Sequence, residues 1–227
     1  LYVGHAIAGV AAINPHIAEE AINLIKVEYE LLDPVLDAPF GSSVDAPILH
    51  DWLETDGING PTNISNIMTV QTGDVEQGFA ESDLVVEREY KSAAVHQGYI
   101  EPQACLVSYK PDSQSTIWSS SQGQFMVRAQ VAKLCAMNAS KIKIVPSEIG
   151  GGFGGKTLVY LEPLALLLSK KSGRPVKMVM TREEVLRATG PTSGGHARAK
   201  IGAKKDGTFV AAELEMEYEA GAFPGSP

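Results

Sequence analysis

Cysteine is nearly absent from this chain: 227 residues hold two, Cys105 and Cys135. Two isolated thiols make no disulfide-dense secreted scaffold, and they cannot supply the four ligands of a structural zinc or iron–sulfur site. A reducing compartment, the cytoplasm, is the expectation. Long apolar runs are missing as well. The longest uncharged apolar stretch near the start, Ala6–Ile13, falls far short of the roughly 20 residues that cross a bilayer. The five histidines (His5, His16, His50, His96 and His196) show no ligand spacing, so each is expected at the surface or as a satisfied buried group. Excess positive charge is lacking too. The formal net charge of −8 argues against bulk nucleic-acid binding, which depends on Lys and Arg neutralising phosphates. No internal repeat of solenoid period is visible.

What is present is the composition of a globular protein, with 44% hydrophobic and 20% charged residues. The charge is unevenly distributed. Residues 1–66 carry ten acids against a single base, Lys26, whereas 67–227 carry 17 acids against 18 bases, and that shift marks a seam. The opening run Tyr2–Ala12 reads as a buried strand because small and β-branched residues continue without a polar face. Asn14 and Pro15 then signal the start of a helix carrying Ile17, Ala21, Leu24 and Ile25, with Glu19 and Glu20 near its positive end. Val27–Leu31 alternates as a strand. From Asp33 to Asn66 the chain is rich in Pro, Gly, Ser, Asp and Asn without a sustained period, which suggests a linker.

Beyond it, the spacing predicts a turn or helix at Gly73–Ala80 and strands at Leu84–Tyr90, Cys105–Tyr109, Thr116–Ser119, Lys141–Val145, Val176–Thr181 and Phe209–Tyr218. Helices are predicted over about 123–136, with Phe125, Val127, Val131, Leu134 and Cys135 inward, and up to Lys171, with Leu161, Leu164, Ala165 and Leu168 inward and Gly173 as the stop. The fold class is α+β.

One segment demands a chemical reason. Glu148-Ile149-Gly150-Gly151-Gly152-Phe153-Gly154-Gly155-Lys156-Thr157 sets five glycines around a phenylalanine between a strand and a helix. Glycine allows positive φ and close approach of the backbone to a ligand, and free N–H groups in such a loop suit an anionic or oxygen-rich group. A structural turn needs only one or two glycines. Gly150 to Thr157 also satisfies the phosphate-loop pattern of NTPases, with Lys156 as its lysine. That reading needs a strand ending in a magnesium-binding acid, and Val176–Thr181 runs into Thr181 and Arg182 instead.

Read with its neighbours, the loop resembles the molybdenum hydroxylases, the family of xanthine dehydrogenases and aldehyde oxidases. The resemblance is carried by Gln122-Gly123-Gln124-Phe125-Met126-Val127-Arg128, by the strand Ile142–Val145, and by the Gly-Gly-Gly-Phe-Gly-Gly-Lys run at the family's interval from Gln122 to Phe153. Three further stretches agree: Val3-Gly4-His5-Ala6-Ile7-Ala8 through Val27-Glu28-Tyr29-Glu30, then Gly73-Asp74-Val75, then His96-Gln97-Gly98-Tyr99-Ile100-Glu101-Pro102.

The resemblance implies a layout: 1–36 as the end of a hammerhead-like α/β domain, 37–66 as a linker, and 67–227 as the first part of a molybdopterin-binding α+β domain. It implies a molybdenum–molybdopterin cofactor, the cytosine dinucleotide form included, with no protein side chain bonded to the metal. Gln122 is assigned a hydrogen bond from its amide N–H to the apical oxo group. Phe153, Gly152 and Gly154 line the metal and offer N–H groups to the cofactor's oxygens. Glu101, just before Pro102, is expected to be structural. The implied reaction is hydroxylation of an aldehyde or N-heterocycle with water-derived oxygen. Thr157 stands where xanthine-oxidising relatives carry a purine-binding glutamate, which points away from xanthine. Iron–sulfur clusters and FAD are expected on partner domains or subunits, because this chain has neither four cysteines nor a dinucleotide-binding glycine motif. The family's base glutamate and its substrate-orienting arginines belong to later motifs, so the chain is expected to be a piece of a longer molybdenum subunit, truncated at both ends and unstable alone. A non-catalytic relative with the same fold is the alternative from another class.

Overall fold

The computed structural model describes residues 2–222 and divides into two compact units, each discontinuous in sequence. The first is formed by the segment up to Tyr29 together with His96–Thr192, and the second by Glu30–Val95 together with the segment from Ser193. The charge shift at residues 66 and 67 falls inside the second unit, because a charge count along the chain is blind to strands that return to pair. The closing run Phe223–Pro227 lies outside the described residues.

The first unit is built on a four-stranded sheet, with strands β2 (Ala104–Ser108), β3 (Ser115–Ser119), β4 (Ile142–Pro146) and β5 (Val176–Val179) in the order β4-β3-β2-β5. β2 pairs antiparallel with β3 and β5, while β3 and β4 run parallel. A parallel pair needs a crossover, and helix α4 (Gln124–Leu134) supplies it. Helix α5 (Glu162–Ser172) follows β4 and ends at Gly173, whose φ of 67° is the left-handed conformation expected of a glycine stop. The core between sheet and helices is apolar and fully buried: Val107 and Ile117 from the strands, Val127 and Val131 from α4, Ala165 and Leu166 from α5. Helix α6 (Arg182–Ala188) begins in a capping box, Thr181 accepting from the Glu184 N–H and Glu184 accepting from the Thr181 N–H.

The inward faces differ in detail from the sequence expectation. Phe125 is 81% exposed and Leu134 64% exposed, while Ala132 is buried with Val127 and Val131. The tighter contacts go to small residues on the side of α4 nearest the sheet. The run Tyr2–Ala12, expected as a buried strand, is irregular and mostly exposed, as is Val27–Leu31. A strand needs a paired neighbour for its N–H and C=O groups, and neither run is part of either sheet. Helix α1 (Pro15–Asn23) does form, with Asn14 capping the Ile17 N–H at 2.9 Å. No acid falls in its first turn, so Glu19 and Glu20 lie beyond the reach expected for them.

The second unit carries a three-stranded antiparallel sheet ordered β1-β6-β7, with β1 at Leu84–Ser92, β6 at Gly195–Ala203 and β7 at Phe209–Tyr218. The expected 37–66 linker is not a free tether. Asp37 caps the short helix α2 (Ala38–Gly41) and pairs with Lys91 at 2.9 Å. Asn63 accepts from the Leu49 N–H and donates to the carbonyls of Pro47 and Gly41, which gathers the segment around one side chain. Helix α3 (Val75–Ala80), capped by Asp74, stands against β7. Among the described residues, no helix is long and apolar enough to cross a membrane.

Candidate cofactor-binding loop

The glycine segment connects β4 to α5 in the first unit, and residue-by-residue packing dictates its composition. Gly151 and Gly154 take φ of 96° and 90°, left-handed values that glycine adopts without strain. Gly152 and Gly155 are demanded by proximity: a Cβ on Gly152 would lie 2.5 Å from Gln122 Oε1, and one on Gly155 would lie 2.7 Å from the Tyr99 ring. Phe153 between them is also left-handed, with φ of 48°, a strained conformation for a residue with a side chain, and the residue is 74% exposed.

Gln122, Gly152, Phe153 and Gly154 meet in one place. Gln122 Oε1 accepts from the Gly154 N–H at 3.1 Å and from the Lys156 N–H at 3.2 Å. Two amide donors on one side identify that atom as the oxygen, and the protons of Nε2 meet no acceptor among the described residues. The Gly155 N–H donates to Gly152 O at 2.8 Å, closing the loop's centre. The N–H groups of Gly151, Gly152 and Phe153 meet no acceptor among the described residues. Gly154 was expected to offer its N–H outward, but Gln122 already takes it, so the free donors stand at residues 151–153.

The base of the loop is held by residues whose partnership was not legible in the sequence. Lys156 is 1% exposed, and its Nζ donates to Glu101 Oε2 at 2.6 Å and lies 5.2 Å from the centre of the Tyr99 ring. An ammonium this buried and paired with Glu101 is closed off from a nucleotide phosphate, and α5 begins only at Glu162, well past the loop. The phosphate-loop reading therefore fails on geometry. Glu101 Oε2 also accepts from the Gly150 N–H at 2.8 Å. Burial pushes the Glu101 carboxyl up, but the Lys156 ammonium and the Gly150 N–H outweigh it and hold the carboxyl below its ordinary value. Glu101, expected to be structural, thus ties the start of the loop to the lysine that closes it.

Tyr99, 1% exposed, packs its ring beside His96 and shares its hydroxyl with Gln103 and with Thr189 Oγ1 at 3.2 Å. His96 Nδ1 accepts from the Gly98 N–H, so its Nε2 carries the proton and donates to Thr189 at 3.0 Å. This histidine is a satisfied group in a polar network. Among the described residues, no group of His, Cys, Asp or Glu could hold a metal ion, so a metal at this loop would need ligands from a cofactor. The donor set fits such a cofactor: free backbone N–H groups and an outward amide N–H suit its oxygens, and the exposed Phe153 offers an apolar wall.

Comparison with known proteins identifies the family. The model of the molybdopterin cofactor-binding domain matches residues 58–227. The nicotinate dehydrogenase large molybdopterin subunit of Eubacterium barkeri is 34% identical over 220 residues, covering 97% of this chain and 50% of that subunit. The carbon monoxide dehydrogenase large chain of Hydrogenophaga pseudoflava is 32% identical, over 96% of this chain and 28% of its own length. Among solved structures, CO dehydrogenase from Oligotropha carboxidovorans superposes with a TM-score of 0.76 at 28% identity, covering 89% of this chain and 26% of that one. Aldehyde oxidoreductase from Desulfovibrio gigas gives 0.79 at 25% identity, covering 90% and 22%. The chain thus spans half or less of the length of these relatives. With its glycine loop, its Gln122 and three quarters of its length inside the matched region, the chain belongs to the molybdopterin cofactor-binding domain family, within the molybdenum hydroxylases.

Proposed function

We propose that this chain is part of the molybdenum-cofactor-binding subunit of an oxidoreductase that hydroxylates an aldehyde or an N-heterocycle with oxygen derived from water. One observation carries the reading: the exposed Gln122 spends its oxygen on the Gly154 and Lys156 N–H groups, which leaves its Nε2 donor, like the amides of 151–153, without an acceptor among the described residues. Bound there, a molybdenum–molybdopterin group would supply two-electron redox chemistry that no side chain of the loop offers. Gln122 would orient it by donating to one of its oxygens, Gly152 and Phe153 would donate from the backbone, and Gly154 would hold Gln122 in place. Residues 1–36 belong, in this reading, to the preceding hammerhead-like domain, and 67–227 to the cofactor-binding domain.

Thr157 bears on the substrate. Its hydroxyl proton is spent on Gly154 O at 2.8 Å, and a threonine brings no carboxylate to a purine ring. Aldehydes or nicotinate-like rings are favoured over xanthine. Electrons leaving the site require acceptors, so iron–sulfur and flavin domains or subunits are the proposed partners, and the cytosine dinucleotide is the proposed tail of the pterin. Free Cys105 and Cys135 suit a reducing, cytoplasmic setting.

The test is the molybdenum and pterin content of the full-length complex, followed by kcat/KM across aldehydes, nicotinate-like rings and xanthine. Stoichiometric metal with xanthine a poor substrate is expected. A complex without molybdenum would refute the reading in favour of a non-catalytic relative, and xanthine as the best substrate would refute the substrate class.

A further inference from the structure

We propose that the Glu101–Lys156 ion pair is a latch that sets the glycine loop in its strained form, which makes Glu101 a positioning residue for Phe153 and Gln122. One carboxylate oxygen, Glu101 Oε2, holds both ends of the loop: the Gly150 N–H at 2.8 Å and the Lys156 ammonium at 2.6 Å. The Glu101 backbone N–H adds a bond to Gly150 O at 3.3 Å. Gln122 and the Gly155–Gly152 bond tie the middle and far end of the loop, where Glu101 shares Lys156, and among the described residues Glu101 is the one that secures its beginning.

The anchor is itself fixed. Arg182 donates to the carbonyls of Tyr99 and Ile100, immediately before Glu101, and Tyr99 is buried with its hydroxyl engaged by Thr189 and Gln103. Lys156, 1% exposed, cannot exchange its carboxylate for water without opening the packing around it. Phe153 at φ 48° pulls against this arrangement, because a non-glycine residue leaves the left-handed region when its surroundings let it. A loop whose first N–H and closing lysine share one carboxylate oxygen gives Phe153 little room to relax. The relaxed loop would carry the Gly154 and Lys156 N–H groups away from Gln122 Oε1, and Gln122 would lose its outward orientation.

The latch is a property of this chain's own residues; its consequence for catalysis rests on the proposed cofactor site. The experiment uses the full-length subunit in its complex and follows hydrogen–deuterium exchange in peptides covering 150–157. Glu101→Gln keeps the shape and removes the charge. Exchange in the loop is expected to rise about 10- to 100-fold, the loss of a charge-assisted hydrogen bond, while β2, β3 and α5 exchange as before. Unchanged exchange in the loop would overturn the latch. Should Glu101→Gln unfold the domain through the buried Lys156 charge, the Glu101→Gln/Lys156→Met pair removes that charge. Fast loop exchange in the folded pair supports the latch, and wild-type protection in it overturns the latch.

Positioning is read separately in the holoenzyme. Molybdenum content is expected to stay at the wild-type level, with kcat lowered about 10-fold and KM unchanged. Wild-type kcat together with a loosened loop would overturn the positioning role. If the wild-type complex holds no molybdenum, the cofactor reading fails while the exchange measurement still decides the latch.

Discussion

Replacing Gly152 with alanine would perturb the candidate site through a single added carbon. The new Cβ would stand 2.5 Å from Gln122 Oε1 and 2.7 Å from its Cδ, well inside contact distance. Gly152 is not among the left-handed residues of the loop, so its backbone accepts alanine and the whole cost falls on Gln122. Gln122 must withdraw, and its oxygen then gives up the Gly154 N–H at 3.1 Å and the Lys156 N–H at 3.2 Å. At about 0.5–1.5 kcal/mol for each bond, the loss is about 1–3 kcal/mol. It is offset by up to about 1 kcal/mol because alanine restricts the unfolded chain. Gln122→Ala removes the same two bonds by another route. The double variant should therefore cost no more than Gln122→Ala alone, a coupling of about 1–3 kcal/mol. Native-state hydrogen exchange at the amides of Gly154 and Lys156, in the full-length subunit, reports the local opening free energy directly. Additive costs for the two substitutions would mean that Gly152 is needed for something other than room for Gln122.

Three other outcomes are expected. Gln122→Ala in the full-length enzyme should retain molybdenum, measured by elemental analysis, and lose about 10- to 100-fold in activity, the range for a residue that orients a metal centre without binding it. Glu101 should contribute to acid sensitivity: its carboxyl lies below the ordinary value of 4.5, so its stabilisation is complete above that pH and fades as pH falls through the folded value. Acid unfolding curves of wild type and Glu101→Gln should converge at low pH, and a constant gap between them would remove Glu101 as the titrating group. Cys105 should resist alkylation by iodoacetamide in the native protein at neutral pH, since it is 4% exposed and burial pushes its thiol far above the usual range. Rapid mass labelling of Cys105 before unfolding would contradict the packing of β2.

Local signals in the chain were sufficient for elements whose stability is local. Asn14 with Pro15, Asp74 ahead of α3 and Gly173 after α5 mark helix boundaries because each satisfies or ends backbone hydrogen bonding within a few residues. The same holds for β3, β4 and β7, whose apolar and β-branched runs were visible, whereas β6 and α6 were missed. The polar and small residues of β6, Gly195–Ala203, take their conformation from pairing with both β1 and β7. Tyr2–Ala12 shows the converse: its strand-like composition finds no sheet to join.

At the candidate site, residue identity alone marked the loop, since no ordinary turn needs five glycines, and the resemblance singled out Gln122, Gly152, Phe153 and Gly154. Which donors stay free was decided by tertiary structure. Gln122 and Gly154 are far apart in the chain, and only their meeting consumes the Gly154 N–H and turns Nε2 outward. Lys156 could be read as a phosphate-binding lysine until the fold brought it, buried, against Glu101 from another segment. The left-handed glycines Gly151 and Gly154 were thus determined by the sequence itself, because backbone freedom belongs to the residue, whereas Gly152 and Gly155 are required by the tertiary approach of Gln122 and Tyr99. The roles of Gln122, Glu101 and Lys156 were decided by the fold, because a hydrogen bond or an ion pair requires two distant groups within about 3 Å of each other.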